Sequence, residues 1–117
     1  MSKSDDRRRK EALRRIAQIR QEISRLGFLC SGTLLRRTKV CGKPACRCAQ
    51  DPAERHGPYY EWSRRQGNHL VHTILSKDEA ERLAQAIRNY RLVKRRLRRW
   101  ERETLTAIRA EEAGRQP

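Results

Sequence analysis

Three cysteines and one histidine stand close together in the middle of the sequence. Cys41, Cys46 and Cys48 lie within eight residues and His56 follows, which gives the spacing C-x4-C-x-C-x7-H. Structural zinc sites take four thiolate or imidazole ligands in a closed tetrahedron, and three cysteines with one histidine are a common set. The spacing therefore predicts a structural Zn²⁺ site. Two other interpretations stay open, namely free surface thiols or a redox pair made from two of the cysteines.

The fourth cysteine, Cys30, stands apart in the apolar stretch Phe28-Leu29-Cys30. A free cysteine in such a place behaves as a small buried hydrophobic residue, and we predict that role for Cys30. No export signal is recognisable at the N-terminus and no apolar run is long enough to span a membrane, so reduced thiols in a cytoplasmic protein are expected rather than disulfides.

Arginines dominate one side of the last part of the chain. Projected on a helix, six of them fall within an arc of about 100°, and no acidic residue interrupts them. They are Arg88, Arg91, Arg95, Arg98, Arg99 and Arg102, and we call this set the arginine stripe. Like charges three and four residues apart weaken a helix, and the planar guanidinium suits phosphate, so the pattern favours nucleic-acid contact. A solvated helix face and an acidic protein partner are the alternatives.

A second basic surface is predicted nearer the cysteines. Its candidate residues are Arg36, Arg37, Lys43, Arg47, Arg64 and Arg65.

Composition supports a polyanion partner and leaves little room for catalysis. The 117 residues carry 29 basic and 14 acidic side chains, a net charge of +15, and only 36% are hydrophobic. Such an excess is typical of nucleic-acid-binding proteins. No phosphate-binding glycine motif or recognisable nucleophile arrangement is present, and we expect that the protein is not an enzyme.

The elements that position these residues follow from periodicity and capping. Residues 5–26 repeat apolar side chains at heptad-like spacing (Ala12, Ile16, Ile19, Ile23, Leu26), and Gly27 is expected to end that helix. Residues 32–75 are predicted to form strands on either side of the Cys/His loop, and the later two strands are joined by a hairpin turn at Gly67-Asn68. Ser76 and Glu79 form a capping box for a long basic helix over 77–113. We therefore predict one α+β domain over 1–117, a three-stranded antiparallel sheet flanked by two helices.

Several sequence blocks resemble an uncharacterised family of short bacterial proteins. The blocks are Gly32-Thr33-Leu34, CGKPACRC at 41–48, HGPYYEWSRR at 56–65, Leu75-Ser76 and Asn89-Tyr90-Arg91. The resemblance implies a shared fold unit with a Cys/His knot and an association with mobile elements.

Together these observations predict a zinc-stabilised nucleic-acid-binding module that contacts DNA through its basic C-terminal helix. Because phosphate contacts do not distinguish nucleic acids, an RNA-binding protein is a close alternative. A second alternative is a coiled-coil adaptor that uses the helices to bind a larger enzyme such as a transposase, or that forms a homodimer.

Overall fold

The computed structural model describes residues 2–115 and has the predicted α+β architecture. Its main elements, in chain order, are α1 (Lys3–Ser24), β1 (Thr33–Lys39), β2 (His56–Gln66), β3 (His69–Leu75) and α2 (Lys77–Ala113). The strands form one antiparallel sheet in the order β1-β2-β3. The predicted fold class, a three-stranded sheet flanked by an N-terminal helix and a long C-terminal helix, is therefore confirmed.

These elements divide into two compact units. The first unit runs up to Leu29 and resumes at Asn89, and the second comprises Cys30–Arg88. Helix α2 contributes its first turns to the second unit and the rest to the first. The organisation of the whole chain as a single domain stays a prediction.

The first unit is an antiparallel pair of helices. Three ion pairs join α1 to the later part of α2, and as the residue number rises along α1 it falls along α2. The pairs are Arg9–Glu111 at 2.8 Å, Arg15–Glu103 at 3.4 Å and Glu22–Arg96 at 2.5 Å. The heptad-like spacing of α1 indicated a partner helix, and the structure provides it within the same chain.

Small side chains fill the contact between these two helices. Ala12 is fully buried, Ile19 is 2% exposed, and Ala107 and Ala110 are 5% exposed. Alanines at a helix contact let the two backbones approach closely, and Ile19 supplies most of the buried apolar volume. Residues of the predicted seam thus form the core of this unit.

The ends of α1 differ by two residues from the predicted helix 5–26. The helix begins earlier because Ser2 caps it, its side chain accepting a hydrogen bond from the Asp5 N–H. It ends at Ser24, where the backbone N–H of Arg25 bonds back to the helix carbonyls. Gly27 is not among the glycines with positive φ, so the helix does not end in the left-handed glycine cap that its position suggested.

The second unit contains the sheet, and β2 is longer than its sequence suggests. Gly57 and Pro58 were expected in a loop, but both belong to β2. Lys39 pairs with His56 and Arg37 with Tyr59, so Gly57 and Pro58 together face one residue of β1. This is a β-bulge, in which two residues oppose one. The φ of Gly57 is +118°, a conformation that glycine adopts without strain.

The two faces of the sheet are covered to different extents. On one face Leu34 aligns with Trp62 and Thr73 across the three strands, and all three are half-buried. On the other face Leu35 and Ile74 are 38% and 55% exposed. The fully buried side chains of this unit are few: Cys48, Ala80, Ala86 and Ile87.

Helix α2 starts at the predicted capping box. Ser76 Oγ accepts from the Glu79 N–H at 3.1 Å, and Glu79 Oε1 accepts from the Ser76 N–H at 3.0 Å. The helix then continues for 37 residues to Ala113. Among the described residues, neither this helix nor α1 has a stretch apolar enough to cross a membrane.

Candidate metal site and basic helix face

The loop between β1 and β2 brings the four predicted ligands together. Arg47–Ala49 forms a short 3-10 turn that contains Cys48. A second 3-10 turn, Pro52–Glu54, is capped by Asp51, whose side chain accepts from the Ala53 N–H. These two turns bring the chain back so that His56, the first residue of β2, lies beside the cysteines.

The ligand atoms of Cys41, Cys46, Cys48 and His56 all lie within 4.8 Å of one another. The Sγ atoms of Cys41 and Cys48 are 3.5 Å apart, and Cys46 Sγ is 3.4 Å from His56 Nε2. A tetrahedral site with Zn–S bonds of about 2.3 Å would hold its sulfurs about 3.8 Å apart. The four side chains therefore have the spacing of a closed metal site and can hold a metal ion.

Hydrogen bonds already favour a thiolate at Cys46. The backbone N–H of Cys48 is the main cause, and the Cys48 thiol, His56 and the Cys41 thiol add to it, so that the pKa of Cys46 falls to about 7. Near neutral pH a substantial share of this thiol is therefore in the form that binds metal.

Cys48 behaves differently from Cys46. The backbone N–H of Cys41 donates to Cys48 Sγ at 3.3 Å and favours its thiolate. Burial and the neighbouring sulfurs of Cys46 and Cys41 outweigh that bond, so the pKa of Cys48 is raised. Cys48 is 2% exposed, and a cation at the cluster would offset the cost of a buried thiolate there.

Cys30 does not belong to this cluster. It is half-buried rather than fully buried, and its backbone N–H donates to the Ala86 carbonyl at 3.2 Å. The next residues are fixed by Trp62, whose Nε1–H donates to the Ser31 carbonyl at 2.9 Å. Trp62 lies so close that a Cβ on Gly32 would fall 2.4 Å from its Nε1. Cys30 thus belongs to the packing of the segment that leads into β1.

The arginine stripe lies along α2 as projected, and all six of its side chains are exposed. Arg88 donates to Gln85 Oε1 at 2.7 Å. Within residues 2–115, none of the eight ion pairs involves a stripe arginine. The stripe therefore presents uncompensated positive charge along one side of the helix.

The six residues of the predicted second surface are not arranged in the same way. Neighbouring strand residues point to opposite faces, so Arg36 and Arg64 lie on one face and Arg37 and Arg65 on the other. The Arg64 guanidinium stacks 3.8 Å from the centre of the Trp62 ring, so this arginine takes part in packing. The other two residues, Lys43 and Arg47, lie exposed in the Cys/His loop.

The open face of the sheet carries a polar network that sequence reasoning missed. Glu61 lies 3.0 Å from His72 Nδ1 and 3.4 Å from Arg37 Nη1. The same His72 nitrogen lies 2.8 Å from Ser63 Oγ. Both contacts use one imidazole nitrogen, so this is not the relay of a catalytic triad, in which the two nitrogens have different partners. The predicted turn at Gly67-Asn68 sets the register that pairs Ser63 with His72, whereas the alignment of β1, which brings Arg37 to Glu61, has no such local signal.

The geometry thus defines a small α+β protein with a compact three-cysteine, one-histidine ligand set. A family model described as a domain of unknown function (DUF6788) matches residues 9–85, and the chain belongs to this family. The matched segment includes the sheet and all four cluster residues but ends before the arginine stripe. The comparisons with curated proteins and with solved structures each gave no match.

Proposed function

We propose that this protein is a zinc-stabilised nucleic-acid-binding module, and not an enzyme, which binds phosphates through the arginine stripe. The observation that carries the proposal is the row of six exposed arginines on α2 without an ion pair among the described residues. From Arg88 to Arg102 the stripe extends about 21 Å at 1.5 Å rise per residue. That length fits several successive phosphates of a nucleic acid.

The distribution of acidic residues in the first unit supports this proposal. Three of its glutamates pair with arginines outside the stripe: Glu22, Glu103 and Glu111. Stripe arginines recur three or four residues apart, for example Arg91, Arg95 and Arg98, and like charges at that spacing destabilise an isolated helix. A polyanion that neutralises these arginines would remove the repulsion between them. A helix face with both acidic and basic residues would not have this repulsion.

Zinc is the ion that the ligand set favours. Three thiolates and one imidazole select a soft or borderline cation over the hard cations that oxygen ligands prefer. All four positions are provided by the protein, which is typical of structural rather than catalytic zinc. When bound, the ion would fix the loop between β1 and β2.

DNA is the preferred nucleic acid because a long basic helix suits a major groove about 12 Å wide. Phosphate contacts alone do not separate DNA from RNA. An association with a mobile element or a transposase rests on the sequence resemblance and stays a prediction. An adaptor that binds a larger enzyme through Ile19 and its heptad neighbours is less well supported, because α2 already buries Ile19 within the chain.

The test is a salt titration of binding to a random DNA duplex, using the full chain with its metal. Each neutralised phosphate contributes about −0.9 to the log–log slope, so four to six contacts give a slope of about −4 to −5. Replacing Arg91, Arg95 and Arg98 together with Gln is expected to make the slope shallower by about three units. Glutamine has nearly the same helix propensity as arginine, so the fold is expected to persist.

A charge-matched control replaces three exposed basic residues of α1, Lys3, Lys10 and Arg20, with Gln. The control is expected to lose little of the salt slope, although its net charge equals that of the stripe variant. If the two variants bind alike, general charge and not the stripe drives binding. If the stripe variant binds DNA and RNA as tightly as the parent, the stripe is only a solvated face. A parallel titration with duplex RNA shows whether DNA is preferred.

A further inference from the structure

The two outer edges of the sheet differ in how well they are protected from pairing with another strand. The order β1-β2-β3 makes β1 and β3 the edge strands. Strand β1 carries Arg36, Arg37 and Lys39, and its register shifts between the last two. Charges and irregularities of this kind keep an edge strand from pairing. Strand β3 has neither, because His69–Leu75 contains no lysine, arginine, acidic residue, proline or glycine.

The backbone groups on the outer side of β3 are unpaired. The hairpin turn consists of Gly67 and Asn68, so the residues on either side of this turn form a hydrogen-bonded pair. Hydrogen-bonded and non-bonded pairs alternate along an antiparallel ladder, which directs the N–H and C=O groups of Leu70, His72 and Ile74 away from β2. Among the described residues, no backbone group outside the sheet bonds to them. The edge can therefore take one more antiparallel strand.

The side chains of β3 on the open face of the sheet suit a contact with another apolar strand. Leu70 is 60% exposed and Ile74 is 55% exposed, with His72 between them. The stretch without lysine, arginine or acidic residues runs from Gln66 to Ser76, in a chain of which 37% is charged. Two chains that each carry a net charge of +15 repel one another least where the contacting strands are uncharged.

We infer that the outer edge of β3 pairs antiparallel with the same edge of a second copy of this chain. With a two-fold axis at His72, all seven residues of β3 are paired. Leu70 then lies opposite Ile74 of the second copy, and Val71 opposite Thr73 of the second copy. An isologous contact requires this reciprocity.

Both the hydrogen bonds and the side chains favour this register. Leu70, His72 and Ile74 each meet a residue whose N–H and C=O groups also point outward, and each such pair exchanges two hydrogen bonds. Moving the axis to Val71 or Thr73 would place His72 opposite one of the exposed apolar side chains and would leave part of the strand unpaired. The axis at His72 is therefore the one that uses the whole edge.

A closed dimer also accounts for the difference between the two edges. In this dimer both β3 edges are paired, and the edges that stay outside are the two β1 strands with their charges. Pairing β3 with the β1 edge of another copy would leave an open β3 edge at every step and would build a chain of sheets instead. Pairing two β1 edges would bring basic side chains of both copies together, which is unfavourable.

The contact is small, since seven strand residues extend only about 20 Å from end to end. Small interfaces are typical of weak complexes, so the dimer is expected to form at high protein concentration. In a dilute sample the chain is a monomer, and a melting temperature measured there reports the monomer.

Sedimentation equilibrium of the full, metal-bound chain, freed of nucleic acid, measures the assembly. As the protein concentration rises, we expect the mass to approach twice the 13.9 kDa of one chain. Leu70→Glu and Ile74→Lys each place a charge opposite an apolar side chain, which is expected to weaken dimerisation by at least about tenfold. Leu97→Glu, at a leucine 45% exposed on α2, is the matched control and is expected to leave dimerisation unchanged.

Mixing the two sheet variants tests the register. In a mixed dimer the new acid of Leu70→Glu faces the new base of Ile74→Lys, and the other contact keeps Leu70 against Ile74. The mixture is therefore expected to dimerise more tightly than either variant alone. Far-ultraviolet circular dichroism checks that both variants stay folded, as expected for side chains more than half exposed.

A cysteine at the axis tests the position of the two-fold. The two copies of residue 72 have their Cα atoms about 5.5 Å apart in the dimer, a distance that a disulfide spans. His72→Cys is therefore expected to form a disulfide-linked dimer when glutathione disulfide is added as oxidant. His69→Cys is the matched control, because its two copies are about 20 Å apart, and it is expected to cross-link no more than the parent chain.

A wild-type chain that sediments as a monomer at all concentrations would overturn the inference. Equal cross-linking of the two cysteine variants would also overturn it, as would a mixture that dimerises no better than its components. The inference does not rest on nucleic-acid binding, because the β3 edge and the arginine stripe share no residue. A monomer that still binds DNA through the stripe would refute the dimer and leave the proposed function intact.

Discussion

Removing the metal is expected to affect the second unit far more than the first. The fully buried side chains of the second unit are one isoleucine, two alanines and Cys48 itself. Burying an isoleucine contributes about 1.5–3 kcal/mol, and alanines contribute less. Structural zinc binds zinc-finger peptides with apparent free energies of about 10–16 kcal/mol at pH 7. If the cluster holds zinc, the ion is therefore the largest single source of stability in this unit.

The perturbation is the replacement of one ligand at a time by Ala, at Cys41, Cys46, Cys48 or His56. Each variant is expected to lose zinc, because three remaining ligands no longer close the tetrahedron. Cys30→Ala is the matched control, since it also removes a thiol but lies outside the cluster. It is expected to keep the metal and to lose only packing.

Elemental analysis of the purified protein measures the metal, with one zinc per chain expected. Trypsin digestion followed by mass spectrometry measures how fast the loop between β1 and β2 is cleaved. Arg47 and Arg55 lie in the loop between β1 and β2, and cleavage after them is expected to accelerate when a chelator removes the metal. Cobalt substitution provides a third readout, because thiolate-bound tetrahedral cobalt absorbs in the visible range.

Two results would refute this reasoning. One is protein purified without chelator that contains no zinc or other thiophilic metal. The other is equal zinc retention by Cys30→Ala and by all four ligand variants, which would mean that the cluster is not the site.

Named contacts also support four other predictions. Ile19→Asp is expected to lower the free energy of unfolding by at least about 3 kcal/mol. Ile74→Asp, at an exposed isoleucine, is expected to change the melting temperature little. Equal losses of stability in the two variants would contradict the packing of α1. Ser76→Ala is expected to cost about 1 kcal/mol in chemical denaturation. Hydrogen bonds from the Ser76 backbone and side chain lower the pKa of Glu79 below 4.5. The stabilisation that the Glu79 carboxylate gives to the folded protein is therefore complete above pH 4.5 and is lost as the pH falls through the pKa of Glu79 in the folded protein. Unchanged acid sensitivity of a Glu79→Gln variant would contradict this. Since the pKa of Cys46 is about 7, zinc affinity is expected to fall as the pH drops below neutrality, which a competition titration against a chelator measures.

The fold and the cluster were predictable where the determining residues are near one another in sequence. The capping box of α2 needs only Ser76 and Glu79, and the four ligands fall within 16 residues from Cys41 to His56. Local spacing was enough in both cases. The start of α1 has an equally local signal, Ser2 followed by Asp5 three residues later, so the beginning of the helix before residue 5 was also predictable.

Features that depend on the register of β1 were not predictable. The turn at Gly67-Asn68 sets the alignment of β2 with β3 and so pairs Ser63 with His72. The contact of Arg37 with Glu61 and the bulge at Gly57 need the alignment of β1 with β2, which has no such local signal. The heptad-like spacing of α1 showed that Ile19 requires a partner helix. It did not show whether the partner lies in the same chain, because α2 and a second copy of α1 offer similar apolar spacing.

The extent of the family match separates the two parts of the proposed function. The matched residues 9–85 contain the whole Cys/His cluster, so a metal site is a property that the family's shared segment can carry. The arginine stripe begins at Arg88, beyond that segment. If the stripe variant loses nucleic-acid binding while its zinc content is unchanged, binding belongs to the later part of α2, and the metal serves only to fold the second unit. If binding persists, basic residues other than Arg91, Arg95 and Arg98 provide the phosphate contacts, and Lys43 and Arg47 beside the cluster are the candidates within the matched segment.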